Sequence, residues 1–142
     1  MAEQLATIEK VFLLQSVELF TEAAPEELLH LAHIALEEEH REGQKIYVEG
    51  DSPNAFYILV RGRVHLKSRR EQHEEEAIEH QAFGVLSVLV GEPHLYTASC
   101  LEDCLVLRVD AEEFFDHVAD DVDMMKGIIR YLARHIRKKE VF

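Results

Sequence analysis

The spacing of apolar residues divides the chain into three stretches with different periods. In residues 8–14, apolar side chains at Ile8, Val11, Phe12 and Leu14 follow a helical spacing. A loop then runs through Thr21 to Ala24, and Pro25 opens a second predicted helix, where a fixed φ suits the first turn. Glu26 and Glu27 favour that N-terminus, and Leu28, Leu29, Leu31, Ala32 and Ala35 form its expected apolar face. From Leu36 the period becomes two. Residues 37–42 read as a polar, exposed strand ending at Gly43, and 44–48 as a short strand. Residues 49–54 carry a dense turn signal, Glu-Gly-Asp-Ser-Pro-Asn. The unbroken apolar run Phe56-Tyr57-Ile58-Leu59-Val60 predicts a strand buried on both faces. Residues 61–63 turn, and Val64-His65-Leu66-Lys67 alternates as a half-buried strand.

Further strands are predicted over 77–80, 96–100 and 104–109, with the charged stretch 68–76 read as a hairpin tip. Between them, residues 83–98 open on Phe83-Gly84, pass through an apolar helical turn, and break at Gly91 and Pro93. Asp110 with Glu113 three residues on predicts a capped helix from Ala111 to about Ala119. A last helix starts after Asp120-Asp121, with Met124, Ile128, Ile129, Tyr131, Leu132 and Ile136 as its apolar stripe. The order is helices, about eight short strands, then helices.

Length and composition fit one domain: 142 residues, 47% hydrophobic. No apolar run approaches the roughly 18 residues of a membrane span, and Met1-Ala2-Glu3-Gln4 lacks the order of a signal peptide. Cys100 and Cys104 are expected to be free, buried thiols in a reducing cytoplasm. The net charge of −13 disfavours nonspecific attachment to DNA or anionic lipid. Positive charge gathers near the C-terminus, at Lys126, Arg130, Arg134, Arg137, Lys138 and Lys139. The pair His30 and His33 lacks companions at metal-ligand spacing, and His65, His80 and His94 are too scattered for a metal-dependent oxygen or sugar chemistry. No metal, no cofactor and no catalysis are expected.

Two segments carry a resemblance. Glu42-Gly43-Gln44-Lys45-Ile46-Tyr47-Val48-Glu49-Gly50-Asp51, followed by Phe56 through Val64 with Gly62, resembles the cyclic nucleotide-binding domain family, as do Pro25-Glu26-Glu27-Leu28 and the entry segment 14–20. The likeness covers about residues 8–138. It implies a mainly β fold with flanking helices: a jelly roll, or double-stranded β-helix, over 36–109, N-terminal helices in 8–35 and C-terminal helices in 110–139, all in one domain spanning 1–142.

The resemblance also places the family's phosphate cassette on residues 83–98. There the family has a carboxylate that accepts the ribose 2′-hydroxyl, an arginine that pairs with the cyclic phosphate, and two small residues. In this chain those positions hold Val85, His94, Leu95 and Tyr96. No glycine precedes Phe83, where the family has a glycine-containing turn, so the loop is expected to wrap a ligand less freely. Below about pH 6.5, His94 as a cation would restore part of the phosphate contact.

The candidate pocket therefore comprises Phe83, Gly84, Val85, Leu86, Ser87, His94, Leu95, Tyr96 and Thr97. Leu95 and Tyr96 are expected to fill it. The expected function is a non-catalytic regulatory and interaction module, one domain of a larger cytoplasmic protein or of the cytosolic part of a membrane protein, that does not bind cyclic nucleotide in the family's way. The alternative is a sensor that takes a cyclic nucleotide or other small anion through an altered cassette, with Ser87, His94 and Thr97 as its polar groups. The expected partner is another domain of the parent protein, or a second copy through the C-terminal helix. DNA is not expected, since DNA-binding relatives append a further domain after that helix.

Overall fold

The strand with no polar face organises the molecule. In a computed structural model describing residues 5–139, with side chains placed through residue 135, Ala55–Arg61 forms the third strand, β3, and is buried along six of its seven positions. Its neighbours explain why. Phe56, Ile58 and Val60 face a core shared with the helices, while Ala55, Tyr57 and Leu59 face a core between two sheets. The partner strand β8, Cys104–Asp110, alternates likewise: Leu105, Leu107 and Val109 to the helices, Cys104 and Val106 to the second sheet.

The remaining strands are β1 (Leu36–His40), β2 (Lys45–Tyr47), β4 (Val64–Ser68), β5 (His73–Ala77), β6 (Ala82–Phe83) and β7 (Thr97–Cys100). They pair antiparallel in two four-stranded sheets, β1-β8-β3-β6 and β2-β7-β4-β5, which is the jelly roll flanked by helices that the sequence predicts. The helices are α1 (Thr7–Gln15), α2 (Pro25–Ile34), α3 (Val85–Val90), α4 (Ala111–Val118) and α5 (Val122–Lys139), with a 3-10 turn at Glu18–Phe20. Pro25 occupies the first turn of α2, as its fixed φ favours. Phe20, Phe56 and Phe114 meet with ring centroids 5.2 to 6.3 Å apart and tie the 3-10 turn, β3 and α4 together.

Several expectations need correction. Helix α1 is turned so that Leu13 and Leu14 are buried, while Ile8 and Phe12 are 63% and 65% exposed. Leu29 and Ile129 also face outward. The charged stretch after Ser68 is not all hairpin tip: only residues 69–72 turn, and β5 begins at His73. Residues 78–81 then turn, where a strand was expected. The Asp110 carboxylate does not cap α4, because Arg108 Nε donates to it at 2.7 Å. The cap at α5 does form, with Met124 N donating to Asp121 Oδ1 at 3.0 Å. Cys100 and Cys104 are free and buried as expected, and burial beside Cys104 pushes the Cys100 thiol up to about 12. Met1 to Gln4 and the side chains of Ile136, Arg137, Lys138 and Lys139 lie outside the described residues.

Candidate functional site

Two glycines bracket the short helix at the expected cassette. Gly84 precedes α3 with φ of 80°, and Gly91 follows it with φ of 71°, both in the left-handed region. Gly84 also has little room for a side chain: a Cβ there would stand 3.2 Å from His94 Cε1 and 3.3 Å from the Tyr47 hydroxyl. The carbonyl of Ser87 closes the loop by accepting from Gly91 N at 2.9 Å and Glu92 N at 3.1 Å. These bonds and the two left-handed glycines hold the backbone at both ends of α3.

Val85 is buried with the core that the helices share and also borders the cleft, where an aliphatic side chain offers no hydrogen-bond acceptor to a ligand. His94 is 4% exposed and lies flat on Tyr47, with ring centroids 3.8 Å apart and planes 14° from parallel. Its backbone is pinned on both sides: His94 N donates to Asp51 O, and Gly50 N donates to His94 O. Burial pushes the imidazole below its ordinary value, against a smaller opposing pull from Asp51. The expected cation at this position is therefore a neutral ring in the core. Tyr47, Tyr57 and Phe83 extend the stack, with centroids 5.6 to 6.1 Å apart.

Leu95 and Tyr96 are only half-buried. They line a cleft of about 200 Å³ rather than fill it, along with Phe83, Gly84, Val85, Leu86, Ser87 and His94. The Tyr96 hydroxyl is tied to His73 Nδ1 at 2.7 Å. Thr97 is not in the cleft. It points to the opposite face of its sheet, where its hydroxyl oxygen accepts from Glu49 N at 2.9 Å.

Six cleft residues were not expected: Tyr47, Leu66, Glu75, Ala82, Tyr131 and His135. Tyr47 escapes period-two reasoning because a bulge between Lys45 and Tyr47 shifts the β2–β7 register, sending Lys45 outward and Tyr47 inward. Tyr131 lay on the predicted stripe of α5, which marks burial but not against what. Tyr131 and His135 stand 4.2 Å apart at the cleft mouth, and burial pushes the Tyr131 phenol up to about 12. No lysine or arginine is among the described residues that line the cleft, whereas Glu75 is. Its electrostatics oppose an anion.

Elsewhere, His30 and His33 are exposed, and His30 packs edge-on against His117 instead of joining His33. No group of three or more metal-binding side chains converges among the described residues. No described helix is long and apolar enough to cross a membrane.

The family model described as the cyclic nucleotide-binding domain matches residues 37–121. Among curated proteins, the chain is 23% identical over 100 residues to a CRP-like cAMP-activated global transcriptional regulator of Mycobacterium tuberculosis, covering 68% of this chain and 45% of that protein. It is 26% identical over 141 residues to potassium channel AKT3 of Oryza sativa, covering 91% of this chain and 15% of the channel. The chain thus spans less than half the length of either relative. Among solved structures, the sensor domain of the transcriptional regulator DNR from Pseudomonas aeruginosa superposes with a TM-score of 0.78 at 22% identity, covering 95% of each chain. The regulatory domain of Toxoplasma gondii PKA with cAMP superposes at 0.76 and 19% identity, covering 93% of this chain and 50% of that one. At these identities the superpositions speak for the fold.

Proposed function

The chain belongs to the cyclic nucleotide-binding domain family, and from that premise we propose that it is a non-catalytic regulatory module that does not hold a cyclic nucleotide by the family's contacts. Residues 1–142 act as one such module within a larger protein. One relative is described as cAMP-activated, and cAMP at this cleft would have to do without the two polar partners that the family supplies. The observation that carries the reading is His94, neutral and stacked on Tyr47 where the family's phosphate-pairing arginine is expected. A phosphate there forgoes a charge-assisted contact of roughly 1.5–3 kcal/mol, and a ribose hydroxyl facing Val85 forgoes about 1–3 kcal/mol. Glu75 at the same cleft adds repulsion.

The output surface is α5. Its inner residues, Tyr131 and His135, sit at the cleft mouth, and its outer residues Val122, Met125 and Ile129 are exposed at helical spacing. This face suits another domain of the parent protein or a second copy. The cytosol, alone or beneath a membrane-anchored parent, is the setting that two free thiols favour.

The remaining cleft favours a second reading, in which a small ligand, a cyclic nucleotide or another anion, enters between Tyr96 and α5 through contacts of its own. Isothermal titration with cAMP and cGMP separates the two. The first reading expects no saturation up to about 1 mM, a free-energy ceiling near −4 kcal/mol. Saturable micromolar binding of either nucleotide overturns it and establishes the second.

A further inference from the structure

The outer face of the second sheet carries a feature that the cassette does not explain. The ladder sets Lys45, Ser99 and His65 in one row across β2, β7 and β4, and Thr97 and Lys67 in the next. Arg69 follows at the turn after β4. With Val48 and Glu49 these residues line a groove of about 640 Å³.

The groove reverses the sign of its surroundings. The chain carries a net charge of −13, and four of its described arginines are neutralised locally: Arg63 by Glu76, Arg108 by Asp110, Arg130 by Glu22 and Arg134 by Glu18. Lys45, Lys67 and Arg69 form no ion pair among the described residues. Two carboxylates stand close and both are engaged. Glu49 accepts from Arg69 N at 2.9 Å and Arg70 N at 3.1 Å, one bond to each oxygen, and so holds the turn that presents Arg69. Glu74, across the ladder from Lys67, pairs with His65 Nε2 at 2.9 Å. Against these two carboxylates the groove sets three cations, and acids farther than about 8 Å are screened at physiological salt, so the local balance is positive.

We propose that this groove binds an anion carrying two linked phosphates, on the sheet face opposite the cassette. Backbones two strands apart are about 10 Å apart, so lysine stems rising from β2 and β4 span a diphosphate more readily than a single phosphate. The hydroxyls of Thr97 and Ser99 lie between them. Thr97 already accepts from Glu49 N, which leaves its own proton to donate to a phosphate oxygen. The groove also shares strands with the cleft: Leu66 and Tyr96 line the cleft, while the next residues, Lys67 and Thr97, line the groove. An anion on the outer face is therefore one residue from the cleft wall on both β4 and β7.

The test is a titration of the intact 142-residue chain, followed by amide shifts in NMR, with inorganic pyrophosphate, orthophosphate and an octaglutamate peptide. The expected result is saturable pyrophosphate binding, tighter than orthophosphate, with shifts centred on Lys45, Lys67, Arg69, Thr97 and Ser99. Lys67→Gln and Lys45→Gln, both at exposed positions, are each expected to weaken it about fivefold to tenfold, the scale of one exposed charge-assisted contact. The proposal is overturned if pyrophosphate fails to saturate below about 10 mM, a strength too weak for a built site. It is also overturned if neither glutamine variant changes the affinity, or if octaglutamate binds more tightly than pyrophosphate, which would make the face a docking surface for acidic protein segments.

Discussion

The two faces of β3 and β8 bury two cores of different chemistry. On the helix side, Phe20, Phe56 and Phe114 meet among leucines and valines, and the ring there with a polar atom among the described residues, Tyr131, lies at the cleft. On the inter-sheet side, Tyr47, Tyr57, Phe83 and His94 stack, and three of those four rings carry a polar atom. The first core fixes the flanking helices to the jelly roll. The second borders the cleft, where a ring with a polar edge can tolerate solvent or ligand at one side. His94 joins this second core as an aromatic surface, buried and flat on Tyr47.

The comparison breaks most sharply at Phe114. It is fully buried and touches Phe20 and Phe56, so Phe114→Ala is expected to cost about 3–5 kcal/mol, read from the denaturant midpoint. On the other side, Tyr47→Phe keeps the stack and removes only the hydroxyl, with an expected loss under about 1 kcal/mol. Equal losses at the two positions would show that the cores do not divide the work in this way.

The edge of the inter-sheet core has its own sensitive point. Gly62 turns the chain between β3 and β4 with φ of 107°, and a Cβ there would stand 2.6 Å from Cys104 Sγ and 2.8 Å from Asp103 O. Gly62→Ala therefore combines backbone strain with overlap, an expected loss of about 2–4 kcal/mol by the same measurement. Adding Cys104→Ala should relieve the sulfur contact but not the backbone strain, so the double variant is expected to recover only part of the loss. Full recovery would reduce Gly62 to a packing residue.

His94 sharpens the comparison through pH. Burial holds its folded-state pKa below the ordinary value of 6.5. The unfolded chain then binds the proton more readily, so the contribution of His94 is fully present above about pH 6.5 and fades as pH falls toward the lower folded value. Stability should thus decline from pH 7.5 to 5 more steeply in the natural chain than in His94→Phe, which keeps a ring on Tyr47 without the titration. Parallel pH profiles for the two would contradict a buried neutral imidazole.

These positions also mark where the sequence was readable. The run 56–60 announced β3 because burial on two faces removes polar alternation, whereas the jelly roll followed from the family resemblance that the glycine-bearing turns carry. The phase of α1 was not readable. Apolar residues at 8, 11, 12, 13 and 14 nearly encircle it, so only packing decides that Leu13 and Leu14 go in. Strand β5, His-Glu-Glu-Glu-Ala, is an edge strand whose side chains are exposed up to Ala77, and it has no period to detect. At the cleft, the resemblance led to nine candidate residues, and eight of them, all but Thr97, line it. The stack of His94 on Tyr47 was not legible, because it depends on a bulge in β2 that shifts one register.

The smallest expected effect concerns the turn before the cassette. The missing glycine suggested a stiffer, differently shaped loop, yet the left-handed turn is made regardless, by His80 with φ of 73°. Its backbone N donates to Leu59 O at 2.6 Å, and Leu59 N donates to Gln81 O at 2.9 Å, which fixes the turn against β3. A residue with a Cβ pays about 1 kcal/mol to sit there, and the exposed His80 side chain has little packing to lose. His80→Gly should therefore raise stability, by less than about 1 kcal/mol once the added freedom of the unfolded chain is subtracted. His80→Ala should gain nothing, since alanine bears the same strain. If alanine stabilises as much as glycine, the imidazole and not the backbone is the source of the strain, and the turn before Phe83 is as free as one built on glycine.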